Sequence, residues 1–147
     1  MKRKTIITIC SSAAHYRQAL EVAGQLKKLG FQVKVPKTAI IMKRTGNFDV
    51  NHYKTWYEKK EDYHKKTALM NAHFKKVLAS DAILVTNFEK NGMPGYIGGN
   101  ALMEMLVAYL NKIPIYILNP ISEKLPIAEE VYGLNSIFIN GDLEKIR

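Results

Sequence analysis

The sequence predicts an α/β fold built on a doubly wound, five-stranded parallel sheet in the order 2-1-3-4-5. Short β-branched, apolar segments alternate with segments in which apolar residues recur every three or four positions. Glycine or proline lies at the end of several of these segments. Strands that alternate with helices form right-handed βαβ units and a parallel sheet. We take 2-1-3-4-5 as the expected order because it is a common one for such sheets.

The length and composition predict one domain over residues 1–147. A chain of this length buries roughly 70% of its unfolded surface, which is enough for one hydrophobic core. The apolar share of 47% and the charged share of 24% are those of a globular protein, which argues against global disorder. No repeat, low-complexity segment or composition shift marks a domain boundary.

Five short apolar segments are the predicted strands. The third, A-I-L-V-T, has the continuous apolar character of a strand buried on both faces. The predicted strands are residues 5–10, 31–35, 82–86, 113–118 and 136–139.

Four segments have helical periodicity or helical preference. Gly30 and Gly133 are the expected stops after two of them, because glycine readily adopts the left-handed conformation that ends a helix. The second is expected to break near Asp62. Residues 37–50 contain the turn signal T-G-N-F-D and are interpreted as a mobile loop over a site. The predicted helices are residues 13–29, 51–79, 100–111 and 124–132.

Cysteine usage and hydropathy predict a cytoplasmic protein. Cys10 is the single cysteine, so no internal disulfide and no cysteine metal cluster can form, and a reducing compartment is expected. No apolar run approaches the roughly 18 residues of a membrane span, and the apolar segment after the N-terminal basic residues is too short for a signal peptide. We expect no metal and no cofactor, since phosphate-loop, dinucleotide and HExxH motifs are absent from the sequence.

The net charge of +9 raises the question of nucleic-acid binding. The basic residues lie in dispersed pairs, which favours a solvated surface over a nucleic-acid footprint. A positive field also steers small anions toward a cleft. Nucleic-acid binding is therefore kept as a less favoured alternative to a small-molecule ligand.

Glu104 is the strongest single indication of a site. Three apolar residues precede it and four follow it, so we expect it to be at least partly buried. Burial of a carboxylate is costly unless the group is paired or neutral. In the predicted topology the first turns of this helix lie at the carboxyl edge of the sheet, where ligands bind. The alternative is a structural carboxylate that favours the helix dipole or pairs with a lysine.

The segment Y-I-G-G-N before Glu104 is the second indication. Gly98 and Gly99 allow close approach of the backbone to a ligand. The alternative is a plain turn in which Asn100 caps the helix. The expected sheet order predicts that residues 10–15 and 87–104 line one cleft.

Residues 99–116, G-N-A-L-M-E-M-L-V-A-Y-L-N-K-I-P-I-Y, resemble the nucleoside 2-deoxyribosyltransferase-like superfamily. Residues 80–85 resemble the preceding strand of that family, and the first strand followed by Ser11 and Ser12 resembles its first βα turn. The resemblance implies a Rossmann-like fold, a nucleoside or nucleotide ligand, and a homodimer or a larger homo-oligomer. Gly98, Gly99 and Glu104 also resemble a phosphoribohydrolase motif, but the spacing is one residue short and the Gly-Thr pair of that motif is absent.

The resemblance implies that Glu104 is a nucleophile. In that family the helical glutamate attacks the anomeric carbon of a deoxyribosyl group, the base leaves, and a second base or water takes the sugar. The resemblance also implies that Ser11 and Ser12 hold sugar or 5′-phosphate oxygens.

The sequence departs from the family where an aspartate precedes the glutamate. Asn100 lies there and is expected to hydrogen-bond a base or ribose, with Asn87 and Glu89 as further candidates in the loop. His73 lies near the position of the family's second-helix acid. A half-buried structural histidine is the alternative for His73. His15 is interpreted as a surface residue of the first helix, with a place at the cleft as the alternative.

Four aromatic residues on either side of Asp62 are candidates to stack on a base. Aromatic residues at helical spacing are more often part of the core or of a subunit contact. They are Tyr53, Trp56, Tyr57 and Tyr63. Three functions therefore remain open. They are N-glycosidic cleavage by transfer or hydrolysis, a non-catalytic nucleotide-binding or sensor domain, and nucleic-acid binding.

Overall fold

The predicted sheet is confirmed. A computed structural model describes residues 3–147, and its five strands pair in parallel in the order β2-β1-β3-β4-β5. The strands are β1 (Ile6–Cys10), β2 (Gln32–Lys34), β3 (Ala82–Val85), β4 (Ile115–Ile117) and β5 (Ile137–Phe138). The chain therefore has a doubly wound, Rossmann-like α/β fold.

Within residues 3–147, six α-helices connect and flank the strands. They are α1 (Tyr16–Lys28), α2 (Lys37–Thr45), α3 (Val50–Tyr53), α4 (Tyr63–Leu78), α5 (Gly99–Leu110) and α6 (Ala128–Gly133). Short 3₁₀ turns lie at Ala13–His15, Thr55–Tyr57, Lys60–Asp62 and Leu143–Lys145. Across residues 3–147, no helix combines the length and the apolar character needed to cross a membrane.

Alternating side chains of the central strands enter two cores on opposite faces of the sheet. Ile7 and Ile9 of β1 are fully buried against the apolar face of α1. Cys10 and Ile83 enter the other core, to which α5 contributes Met105. Because β1 and β3 are covered on both faces, their sequences are almost continuously apolar.

The segment predicted as a mobile loop over residues 37–50 is mostly a helix. Ala39 and Met42 are fully buried three positions apart, so α2 has an apolar face that packs on the domain. The helix ends at Gly46, whose left-handed φ of +74° lets its N–H donate to the carbonyl of Met42. The turn signal T-G-N-F-D therefore marks the end of α2.

The predicted break near Asp62 is confirmed, whereas the helix predicted before it is replaced by α3 and two 3₁₀ turns. Side chains hold this irregular segment. Asp49 caps α3 by accepting from the N–H of Asn51, and Asp62 accepts from the hydroxyl of Thr55 at 2.7 Å. The last helix also begins later than predicted, at Ala128, because Pro126 disfavours helical geometry in the residue before it.

Candidate functional site

A cleft lies at the switch point between β1 and β3. One wall is built by Ala13 and Tyr16, which follow β1, and by Asn100 and Glu104 in the first turns of α5. The opposite wall comes from residues 36–73, which include α2, α3 and one face of α4. The cavity volume is about 50 Å³, so the cleft is narrow.

Glu104 lies inside this cleft and is 1% exposed, which confirms the predicted burial. Its Oε2 accepts a hydrogen bond of 3.0 Å from Nδ2 of Asn100, one turn earlier on the same face of α5. Its Oε1 is buried and has no hydrogen-bond partner. One carboxyl oxygen is therefore held by Asn100, and the other lies beside His73 and Cys10 without a hydrogen bond.

Burial raises the pKa of Glu104 to about 7. Three neighbours work against this rise and favour the ionised form, namely the Cys10 thiol, the Lys66 ammonium and the Asn100 amide. Near neutral pH the carboxyl group is therefore close to half ionised, and small changes in its surroundings alter its charge.

Lys66 is a member of the site that the sequence reasoning missed. Its Nζ donates to Oδ1 of Asn100 at 3.1 Å and lies 5.9 Å from the ring centroid of Trp56. Burial lowers the pKa of Lys66, and the nearby charge of Lys54 adds to that effect. The signal was present in the sequence, because Lys66 lies seven residues before His73 on the same face of a helix.

His73 is buried at the base of the cleft. Its Nε2 donates to the carbonyl of Ile9 at 2.9 Å and lies 3.9 Å from Oε1 of Glu104. Burial lowers the pKa of His73 to about 4, with a further contribution from the charge of Lys76. His73 is therefore neutral at pH 7, and its approach to Glu104 is not an ion pair.

The donor atoms of Cys10, His73 and Glu104 lie within 4.8 Å of one another, which raises the question of a metal. The ring N–H at Nε2 of His73 is directed at the Ile9 carbonyl, so that nitrogen has no lone pair for an ion. Burial also raises the pKa of the Cys10 thiol well above its ordinary value, which keeps the thiol protonated. This arrangement does not fit a metal ion.

Ser11 and Ser12 lie beside the cleft and not in its lining. The hydroxyl of Ser11 is buried and donates to the carbonyl of Thr86 at 3.1 Å. The hydroxyl of Ser12 lies 3.5 Å from Nζ of Lys90. Both serines therefore contact the chain that follows β3, and their predicted contact with sugar or phosphate stays a prediction.

Asn87 is buried and its side chain joins two loops. It donates to the carbonyls of Gly95 and Asn119 at 3.1 and 2.8 Å, and it accepts from the N–H of Asn119 at 2.9 Å. All three of these bonds are internal to the protein. Asn87 does not line the cleft with Glu104, and its predicted contact with a ligand stays a prediction.

Gly98 and Gly99 lie at the start of α5, where Gly98 is the N-cap and Asn100 lies in the first turn. Asn100 therefore does not cap the helix. A Cβ on Gly98 would lie 3.1 Å from the Tyr96 hydroxyl, whereas one on Gly99 would meet open space. Gly95 is constrained more strongly, because its φ is +60° and a Cβ there would lie 2.0 Å from the Pro120 carbonyl oxygen.

The interpretation of His15 as a surface residue is wrong. His15 is 3% exposed, its Nε2 lies 2.9 Å from the carbonyl oxygen of Glu89, and its ring meets Phe88 edge-on. The 3₁₀ turn at Ala13–His15 precedes α1 and places this side chain toward the loop after β3. The prediction of one helix over residues 13–29 could not show which way the side chain of His15 points.

Of the aromatic set, Tyr53 and Trp56 line the cleft, whereas Tyr57 and Tyr63 are exposed at its outside. The predicted cleft over residues 10–15 and 87–104 is correct for Ala13, Asn100 and Glu104. The rest of the lining comes from Tyr16 and from residues 36–73.

No protein-family model matches this chain, and no curated protein is detectably similar to it in sequence.

Proposed function

We propose that this protein binds a nucleoside or nucleotide in the cleft and cleaves its N-glycosidic bond, with Glu104 as the nucleophile. The observation that carries this proposal is the buried carboxyl group of Glu104 in the lining of the cleft, whose Oε1 has no hydrogen-bond partner in the protein. An unpartnered buried oxygen is costly for folding, so a ligand atom that meets it is a physical reason for its presence.

The proposed reaction has two displacements at the anomeric carbon. Oε1 of Glu104 forms a bond to C1′ while the C1′–N bond breaks, and the base leaves with the bonding electrons and takes up a proton. Water or the nitrogen of a second base then attacks C1′, loses a proton and releases the carboxylate. Water gives hydrolysis and a second base gives transfer.

The remaining lining suits a nucleoside or nucleotide. Trp56 and Tyr53 offer aromatic surface for a base. Burial raises the pKa of Tyr16 well above its ordinary value, so its phenol keeps its proton and remains a hydrogen-bond donor at neutral pH. Lys37 and Lys54 also line the cleft and favour an anionic ligand.

The test is a chromatographic assay for free base. The wild-type protein, Glu104→Gln and the control Glu123→Gln are incubated with ribo- and deoxyribonucleosides and their 5′-monophosphates, with and without a second base. Glu123 is exposed in a turn outside the cleft, so its substitution removes the same charge without touching the site. We expect base release by the wild type and by Glu123→Gln, and none by Glu104→Gln.

Each outcome of the assay has one meaning. Exchange of one base for another identifies a transferase, and release without exchange identifies a hydrolase. Release that survives Glu104→Gln overturns the nucleophile, and no release from any member of the panel overturns the enzyme for these substrates.

A non-catalytic nucleotide-binding or sensor domain is the second candidate. Among the described residues that line the cleft, Glu104 is the one carboxylic acid, so the second carboxyl group that glycosidases use has no counterpart there. This candidate predicts that calorimetric binding of a nucleotide is largely intact in Glu104→Gln while no base is released from any protein.

Nucleic-acid binding is the third and least favoured candidate. The concave shape of the site and its aromatic side chains favour a single base over a polymer, although the net charge of +9 would favour a polyanion. A polymer ligand would bind with an affinity that falls steeply with salt, whereas a mononucleotide in the cleft would be far less sensitive.

A cytoplasmic location and a homo-oligomeric state complete the proposal. The location is supported by the single cysteine, which is buried and unpaired. The oligomer is supported by α5, which has one charged residue and exposes several of its apolar side chains.

A further inference from the structure

We propose that Lys66 is a positioning residue that acts on Glu104 through Asn100, favouring the ionised form of the Glu104 carboxyl and fixing the orientation of its Oε2. The effect of Lys66 on catalysis rests on the proposed function. Its effect on the charge of Glu104 does not, and the two are measured separately below.

The hydrogen bonds among the three residues have one consistent direction. A lysine ammonium has only donors, and an ionised carboxylate has only acceptors. Lys66 donates to Oδ1 of Asn100 at 3.1 Å, so the Nδ2 of the same amide faces Glu104 and donates to Oε2 at 3.0 Å. The ammonium thus fixes the orientation of the amide, and the amide holds one oxygen of the carboxylate.

The helices fix the geometry of this chain of groups. Lys66 lies on α4, while Asn100 and Glu104 lie one turn apart on the same face of α5. The two helices are in contact, and the ammonium lies 5.9 Å from the centroid of Trp56. Held in this way, Oε2 is bonded to Asn100, while Oε1 lies beside His73 and Cys10 without a hydrogen bond.

The position of Lys66 needs a functional reason, because its ammonium is only partly exposed and makes no ion pair within residues 3–147. Desolvation of an unpaired charge costs free energy. A surface lysine on α4 would avoid that cost. The cost is offset if the charge is placed to act on Glu104.

Among the groups around the carboxyl of Glu104, Lys66 is the one that supplies a positive charge. The other titratable groups that face Glu104 are Cys10 from β1, Tyr16 from α1 and His73 from α4. The thiol and the phenol keep their protons and His73 is neutral at pH 7, so none of them supplies a positive charge. Lys54 does not act on Glu104 directly and lowers the pKa of Lys66.

The decisive measurement is the pKa of Glu104 by ¹³C NMR of glutamate carboxyl groups, with Glu104→Gln for assignment. It is made in the wild type, Lys66→Met, Lys66→Arg and the control Lys75→Met, which removes an exposed lysine from the same helix. We expect Lys66→Met to raise the pKa of Glu104 by about one unit, as loss of a nearby opposite charge does. We expect Lys75→Met to leave the pKa of Glu104 unchanged. We expect Lys66→Arg to keep that pKa close to the wild-type value, because the positive charge is kept.

The pathway through the amide is tested with Asn100→Ala alone and combined with Lys66→Met. If Lys66 acts through Asn100, the double variant has a smaller combined shift than the sum of the single shifts. Asn100→Ala also keeps the inference testable should Lys66→Met fail to fold, since it too must raise the pKa of Glu104.

Activity supplies the second readout. A higher pKa leaves less carboxylate at a given pH, so the acidic limb of the rate profile moves up by the same shift. At pH 6 we expect kcat of Lys66→Met to fall about tenfold, since one pKa unit is a factor of ten, with little change in KM. The inference is overturned if the pKa of Glu104 in folded Lys66→Met or Asn100→Ala equals that of the wild type. A shifted pKa without base release from any protein overturns the proposed function and leaves the link between Lys66 and Glu104 standing.

Discussion

Glu104 is the residue at which the demands of folding and of the proposed chemistry conflict. The folded protein holds its carboxyl group in a buried position, where the ionised form is disfavoured. A nucleophile must be ionised. Lys66 and Asn100 reduce this conflict, and the consequence for stability can be measured.

We predict that the wild type becomes less stable relative to Glu104→Gln as the pH rises from 4.5 to 7. The unfolded carboxyl loses its proton near 4.5 and the folded one near 7, so the folded state binds more protons between these values. Stability from this group is present below pH 4.5 and is lost as the pH rises through 7. The full loss is about 3 kcal/mol, because each pKa unit corresponds to about 1.4 kcal/mol.

The measurement is urea unfolding of the wild type, Glu104→Gln and Glu123→Gln at several pH values. The free energy of unfolding of Glu104→Gln minus that of the wild type is expected to grow with pH and to level off above 7. A difference that stays constant from pH 4.5 to 8 would show that Glu104 ionises normally in the folded protein.

At the scale of elements, the loop between β3 and α5 decides where Glu104 lies. The side chain of Asn87 joins this loop to Asn119, after β4, through two hydrogen bonds and bonds to Gly95 within the loop. Gly95 lets the backbone pass against Pro120. We predict that Asn87→Ala lowers the free energy of unfolding by about 3 kcal/mol, since buried groups lose their partners.

The control for this prediction is Asn51→Ala, which truncates an exposed asparagine side chain. Urea denaturation gives the stability, and hydrogen exchange of residues 87–98 reports whether the loop loosens. If Asn87→Ala unfolds at the same urea concentration as Asn51→Ala, the side-chain bonds of Asn87 do not hold the loop.

Elements differ in how far the sequence alone can predict them. β1 and β3 are buried on both faces, so their apolar composition is a local signal and their positions were predicted within one residue. The segment of residues 37–50 has a strong local turn signal, but α2 forms because Ala39 and Met42 pack on the rest of the domain. Packing of that kind depends on contacts that are distant in sequence.

At the scale of the whole molecule, the predicted sheet order alone is enough to place Glu104 at the switch point. The opposite wall of the cleft was not predictable in the same way. Lys66 and Trp56 reach the cleft because α4 packs beside α5 and because an irregular segment precedes α4. Neither arrangement follows from hydrophobic periodicity, and both bring polar groups to Glu104 that the sequence shows only as isolated residues.

The surface of α5 carries the prediction that belongs to the whole molecule. Met103, Leu106, Tyr109 and Leu110 are 39 to 69% exposed and form one stripe, and Glu104 is the one charged residue of the helix. A helix that faces water normally has polar residues on its outer face. Exposed apolar patches on folded proteins commonly mark contact surfaces. We therefore expect α5 to meet a second copy of this chain.

Sedimentation velocity of the wild type, Leu110→Lys and Ile40→Lys tests this expectation. Leu110 is 69% exposed in the isolated chain, so lysine there leaves folding intact but places a charge in the predicted contact. Burial of an unpaired charge in a contact is costly, and we expect Leu110→Lys to be monomeric under conditions in which the wild type is a dimer or larger. Ile40 is 49% exposed on α2, and Ile40→Lys should sediment as the wild type does. A monomeric wild type would refute self-association, whereas an oligomer unaffected by Leu110→Lys would place the contact on another surface.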